Sequence, residues 1–216
     1  MRSAEAEVWA VMTGIGGRQS HRTLRELLAS PADLCIASGF AGSLKTHPVG
    51  SMVVARRITT ETEDVIIASD SRLVDLAVRC GARSIDFLYT AKAVVNSSSE
   101  RRRLSETADA VDMESFPILA EAHRAGVPVV AIKAISDSAE RALPMDFNRF
   151  VSEQGELAWL PMLAAVAAQP LRLADFVRFG IKSFYTAHTM TRFLDRYVKS
   201  LTSTKVDGLL HGTATR

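Results

Sequence analysis

Several things are scarce in this chain, and each scarcity excludes a class of protein. Cys35 and Cys80 are its only cysteines, which rules out a disulfide-stapled scaffold and suits two buried thiols in a reducing compartment. No apolar run reaches the roughly 18 residues that a membrane-spanning helix needs. The first ten residues lack the apolar core of a secretory signal, so the expected location is the cytoplasm. Charge of one sign is also missing: a formal net charge of +2 gives no footing for a nucleic-acid partner, and Arg101-Arg102-Arg103 reads as a solvated helix face. The five histidines never adopt a His-Glu-x-x-His spacing, so no protein-bound metal is expected. Internal repeats and a dividing linker are absent as well.

What remains is an ordinary apolar fraction, 47% of 216 residues, enough for one domain with a sizeable core. The expected division is a single domain over 1–205, in which 168–201 is a C-terminal helical extension, followed by a flexible tail over 206–216. Short apolar runs separated by polar turns predict buried strands over 8–13, 34–38, 50–58, 65–68 and 84–90, with 93–96 also extended. Helices are predicted over 18–29, from Asp70 to a stop at Gly81, and from a Ser97 cap to about Leu104. The stretch Gly39-Phe40-Ala41-Gly42-Ser43 is too rich in glycine for a strand interior and reads as a loop. Gly14-Ile15-Gly16-Gly17 reads as a strand-to-helix turn that also allows close backbone approach to an anion. The fold class is α/β, a mixed central sheet flanked by helices.

The chain is organised around Asp109-Ala110-Val111-Asp112-Met113-Glu114 and the later strand that ends in Ser136-Asp137. A strand, a helix of about a dozen residues and a second strand read as a βαβ crossover, which would open Glu114 and Asp137 on one rim of the sheet. On local grounds alone, Asp112 and Asp137 read as caps of the helices that follow them.

Val111-Asp112-Met113-Glu114-Ser115, ahead of Ala134-Ile135-Ser136-Asp137-Ser138, resembles the Val-Glu-Met-Glu and Ile-Ser-Asp pair of the purine nucleoside phosphorylase / uridine phosphorylase superfamily, which includes the methylthioadenosine/S-adenosylhomocysteine nucleosidases. Gly39-Phe40-Ala41-Gly42-Ser43-Leu44 with Val49-Gly50, and Gly14-Ile15-Gly16, are similar to two further segments of that family. The four occur in family order and cover roughly residues 8 to 155. The resemblance implies a nucleoside phosphorylase-like fold that lacks the usual N-terminal strand.

The resemblance further implies cleavage of the N-glycosidic bond of a purine nucleoside-type substrate, by phosphate or by water. In that reading Glu114 holds the ribose hydroxyls, Asp137 is the general acid to the leaving base, and Ser136 orients it. Met113 packs against the sugar, and Asp112, Gly39, Phe40, Ala41, Gly42, Gly14 and Gly16 line the substrate. No cofactor is implied beyond phosphate as a possible co-substrate; the partners are the small-molecule substrate and further copies of the chain, as a dimer or hexamer. Phe40 departs from the family, standing where relatives carry a small hydroxyl residue, and Lys92, Arg56 and Arg57 are candidates for supplying charge. The alternative is a catalytically impaired nucleoside-binding or assembly protein on the same fold.

From Met145 onward the pattern predicts helices only, with a break at Pro161 and a long helix from Pro170. On that helix Leu173, Val177, Ile181, Phe184, His188, Leu194, Val198 and Leu201 form the expected packing face, with Gly180 as a weak point. It resembles the phosphorylase-like members associated with hopanoid biosynthesis. Packing, an interface and a lid over an apolar substrate are the three readings of it.

Overall fold

The computed structural model describes residues 7–13, 32–61, 65–139, 147–150, 158, 161–162, 165–166, 168 and 173–203. Gly14, Gly16, the helix predicted over 18–29, the junctions at Pro170 and the tail over 206–216 lie outside the described residues.

Among the described residues the strands and α-helices follow in the order β1 (Cys35–Ser43), β2 (Met52–Thr60), β3 (Ile67–Ala68), α1 (Ser71–Arg79), β4 (Arg83–Thr90), α2 (Ser98–Ser105), β5 (Ala110–Asp112), α3 (Ser115–Arg124), β6 (Val129–Asp137) and α4 (Leu173–Ser203). The sheet order is β3-β2-β4-β5-β1-β6, and β6 also pairs with β2. Five strands therefore close into a ring, and β3 occupies the remainder of the β2 edge. Val129 to Ile135, an unbroken apolar run but for Lys133, suits a strand covered on both faces, and its residues are all buried.

One face of β2 and β6 packs Val53, Ala55, Ala131 and Ile135 against Phe116 and Leu119 of α3. The other packs Met52, Val54, Val130 and Ile132 against Leu73 and Leu76 of α1 and Phe193 and Tyr197 of α4. A smaller cluster of Leu44, Val95, Leu104, Ala108 and Val111 lies beneath α2. The helix starts are those expected: Asp70 accepts from the backbone of Arg72 and Leu73, and Ser97 accepts from Glu100 N at 3.2 Å. Cys80 is buried and Cys35 half-buried, both as free thiols; burial pushes the Cys35 thiol up to about 11, which makes it unreactive.

Four expectations need correction. Residues 8–13 form no strand: Val8, Trp9 and Met12 are exposed coil, because an apolar run becomes a strand only where a sheet edge receives it. The glycine-rich stretch is strand after all, since β1 runs through Gly39 and Gly42 to Ser43. The segment 93–96 makes no ladder and is coil. Last, β5 and β6 are not the two strands of a parallel crossover. They flank β1, which is antiparallel to β5 and parallel to β6.

Candidate active site

The geometry of the two acidic segments follows from β1. Gly42 has Val111 of β5 as its register partner on one side and Asp137 of β6 on the other. β1 therefore stands between the two segments, one strand spacing of about 4.8 Å from each, and because β5 runs antiparallel to β6 the shared rim expected for Glu114 and Asp137 does not follow from a crossover. The β1–β6 register is broken once: Ala41 faces Ile135, but Gly42 faces Asp137. Ser136 is thus the extra residue of a bulge, and a bulge re-aims the side chain that follows it. Side chains alternate between faces, so without it Asp137 would share the face of Lys133 and Ile135. With it, Asp137 turns to the opposite face, toward α2.

On the α2 face, Asp137 is held at both oxygens. Ser136 Oγ donates to Oδ1 at 2.7 Å, and Arg101 Nη2 donates to Oδ2 at 2.5 Å. The rest of the guanidinium is also in use, with Nε donating to the Val95 carbonyl and Nη1 to that of Ser138, each at 3.0 Å. The Arg101 and Asp137 side chains are 5% and 14% exposed, so the carboxylate is sheltered but not sealed. Arg101 is therefore no solvated residue, which corrects the reading of the arginine triplet at that position, while Arg102 and Arg103 are exposed as expected. The signal was present: Arg101 lies three positions before the inward Leu104 on a helix capped at Ser97, hence on the inward face. A Cβ on Gly42 would stand 3.0 Å from Asp137 Oδ2, a tight contact to which the carboxylate would have to yield.

The other face carries a second, sealed network. Asp112 Oδ2 lies 2.8 Å from Lys133 Nζ, with side chains 0% and 3% exposed. Thr90 Oγ1 donates to Asp112 Oδ1 at 2.8 Å, and Ser115 N donates to Oδ2 at 3.1 Å. Thr90 Oγ1 in turn accepts from Phe116 N at 3.0 Å. Asp112 and Thr90 thus serve the first backbone donors of α3, the task that helix starts set. Asp112, expected as a substrate contact, is buried here and fixes the start of α3. Gly39, at φ +153°, leaves room for the ammonium, with Lys133 Nζ 3.5 Å from where its Cβ would be. Lys133 escaped the sequence reading, though a lone charge inside an apolar run signals a buried pair.

Glu114 stands at the N-cap of α3 in a non-helical backbone conformation, φ −131° and ψ −23°, without capping the helix through its side chain. It and Met113 are half-buried. Ser136 and Gly42 sit with Asp137, Ala41 is buried beneath them, and Phe40 is 41% exposed on β1. The three other candidate charges stay at the surface. Arg56 Nε reaches Ser84 Oγ at 2.9 Å, Arg57 lies 4.0 Å over the Phe87 ring, and Lys92 faces Glu61 at 3.9 Å.

The family model described as the Phosphorylase superfamily matches residues 2–158, a span that holds both networks. This chain belongs to the phosphorylase superfamily. Its fold is similar to that of the 5'-methylthioadenosine/S-adenosylhomocysteine nucleosidase of Helicobacter pylori, with 20% identity, a TM-score of 0.62, and 87% of this chain and 78% of that one covered. Futalosine hydrolase of the same organism matches with 19% identity and a TM-score of 0.65, over 87% and 77%. The nucleosidase of Campylobacter jejuni matches with 20% identity and a TM-score of 0.57, over 66% and 73%. At these identities the similarity establishes the fold, a mixed α/β sheet flanked by helices with a C-terminal helix. Superfamily membership supports an enzyme of the nucleoside phosphorylase and nucleosidase kind.

Proposed function

We propose that this chain cleaves the N-glycosidic bond of a purine nucleoside, with Asp137 as the acid and Glu114 as the ribose ligand. The observation that carries the reading is the bulge at Ser136, which aims a sheltered carboxylate past Gly42 and gives it a serine and an arginine as fixed partners. Cleavage needs a proton on the departing base, a sugar held as positive charge develops on it, and a nucleophile beneath the ring. Asp137 would pass its proton to a ring nitrogen of the base, a contribution of about 10²–10⁴-fold. Ser136 and Arg101 fix where that carboxyl points. Glu114 would accept from two neighbouring ribose hydroxyls and share electron density with the developing cation, while Met113 covers the sugar's apolar side. The β1 stretch from Gly39 to Gly42 would lie beneath the ribose, where phosphate or water attacks, and assembly would be homo-oligomeric.

The test is a panel of purine nucleosides, including 5'-substituted adenosines, assayed for free base with and without phosphate. Base release that requires phosphate identifies phosphorolysis; release without it identifies hydrolysis. Tight nucleoside binding with no base released under either condition would instead support the binding-protein reading, for which the occupation of both Asp137 oxygens is the favouring observation.

A further inference from the structure

The outward side of α4 is arranged for a partner that the cleavage chemistry does not use. Of the expected packing face, Leu194 and Leu201 dock, while its N-terminal part does not. Thr186, Phe193 and Tyr197 are buried, and Met190, Leu194 and Leu201 pack with them. Tyr197 also donates to the Leu73 carbonyl at 3.0 Å. The row 177, 181, 184, 188 points the opposite way. Val177 and Ile181 are each 52% exposed, Phe184 72% and Tyr185 67%, and His188 is exposed as well. Gly180 does not break the helix.

Beside this apolar row runs a second one at helical spacing, 178, 182, 185, 189, 192 and 196, which carries Arg178, Lys182, Arg192 and Arg196. From 176 to 194 the helix has no Asp or Glu. At its lower end the basic row borders a hollow of about 490 Å³ whose lining includes Arg83, His188, Arg192 and Arg196 and no carboxylate. Arg196 is fixed there by donating to the Cys80 carbonyl at 3.1 Å. Asp195, beyond the hollow, is answered by Lys199 at 2.8 Å.

We propose that α4 docks this protein on an anionic phospholipid surface, its apolar row entering the acyl boundary and its basic row, with the arginine-lined hollow, meeting lipid phosphates. An apolar stripe with aromatic residues and flanking cations is the pattern of a helix lying in the membrane interface, and each basic side chain adds attraction to an anionic leaflet. No helix among the described residues is long and apolar enough to cross a membrane, so α4 lies on the surface. A second copy of the chain is the poorer occupant, because pairing two such faces sets Arg178, Lys182 and Arg192 against their own kind with no acid on the stripe to offset them.

Flotation of the full chain with vesicles tests this. The protein is expected to float with equal parts phosphatidylglycerol and phosphatidylcholine, to stay behind with phosphatidylcholine alone, and to be released by salt. Phe184→Ser with Tyr185→Ser should lower partitioning at least about tenfold, and Arg178→Gln or Arg192→Gln about fivefold each. All four side chains are exposed, so thermal unfolding should not move. Failure to float, or equal flotation with neutral vesicles, overturns the proposal. So does a wild-type dimer that the Phe184→Ser, Tyr185→Ser variant splits into monomers without any vesicle binding, for then the stripe joins copies of the chain. These readouts are independent of nucleoside cleavage.

Discussion

Two carboxylate–cation pairs hang on β6, four residues apart, and they have opposite characters. Lys133–Asp112 is sealed, joined by the Thr90 hydroxyl and the Ser115 N–H, and committed to the start of α3. Arg101–Asp137 is sheltered but reachable, and its carboxylate makes no contact with a helix start among the described residues. The difference comes from one extra residue, Ser136, which turns Asp137 to the other face of the strand. A buried pair with every partner internal is a structural device, whereas a carboxylate aimed at a rim can take part in chemistry. Residue type says little about which is which; register decides.

Lys133→Met should have the largest effect, about 3–5 kcal/mol of lost stability in urea unfolding, because it leaves the Asp112 charge buried and unanswered. Adding Asp112→Leu should recover much of that loss. A single-variant cost below about 1 kcal/mol would show that the pair is not sealed.

Asp137→Asn should lower turnover about 10²–10⁴-fold with little change in nucleoside binding, and its unfolding midpoint should fall as well, since the buried Arg101 guanidinium loses its charged partner. Glu114→Gln should weaken binding and turnover together. Full activity in either variant would remove the role assigned to it.

Arg101→Lys sharpens the contrast further. A single ammonium cannot serve Val95, Ser138 and Asp137 as the guanidinium fork does, so turnover should fall about tenfold, or about 1.4 kcal/mol. In an Asp137→Asn background the same change should have no further effect on turnover, which a merely structural arginine would not predict.

The smallest effect belongs to a third pair, the half-exposed Lys45 with the sheltered Asp109, at 2.7 Å. Burial pushes the Asp109 carboxyl up, but Lys45 and the backbone N–H groups of Phe87 and Asp86 outweigh it and hold its pKa below the usual value. A carboxyl lowered by folding contributes stability above its unfolded pKa of about 3.9 and loses it as pH falls through the lower folded value. Urea midpoints should therefore fall as pH drops below about 4, and Asp109→Asn should flatten that decline.

Much of the scaffold was legible in the sequence because it rests on short-range chemistry. Asp70 and Ser97 cap the helices they were expected to cap, and the interrupted apolar runs became β1, β2, β4 and β6. Long-range pairing was not legible. Nothing local reveals that β1 separates β5 from β6, so the expected crossover had the wrong hand of neighbours. Likewise the glycines of β1 looked like loop residues until Lys133 and Asp137 were found filling the space that their absent side chains leave. On α4 the helical period is legible but the docking face only in part: Leu194 and Leu201 dock while Val177, Ile181 and Phe184 face outward, since both sides of that helix carry large apolar residues and only the body of the protein chooses between them.

Spacing along the chain is enough for the family resemblance, the caps at Asp70 and Ser97 and the two acidic segments, because it fixes which groups a helix or strand presents. The tertiary structure alone decided which acid is sealed and which is aimed at the rim, and which side of α4 remains outside. Those outcomes depend on a one-residue register shift and on contacts between residues far apart in the chain, and neither leaves a local imprint on composition or period.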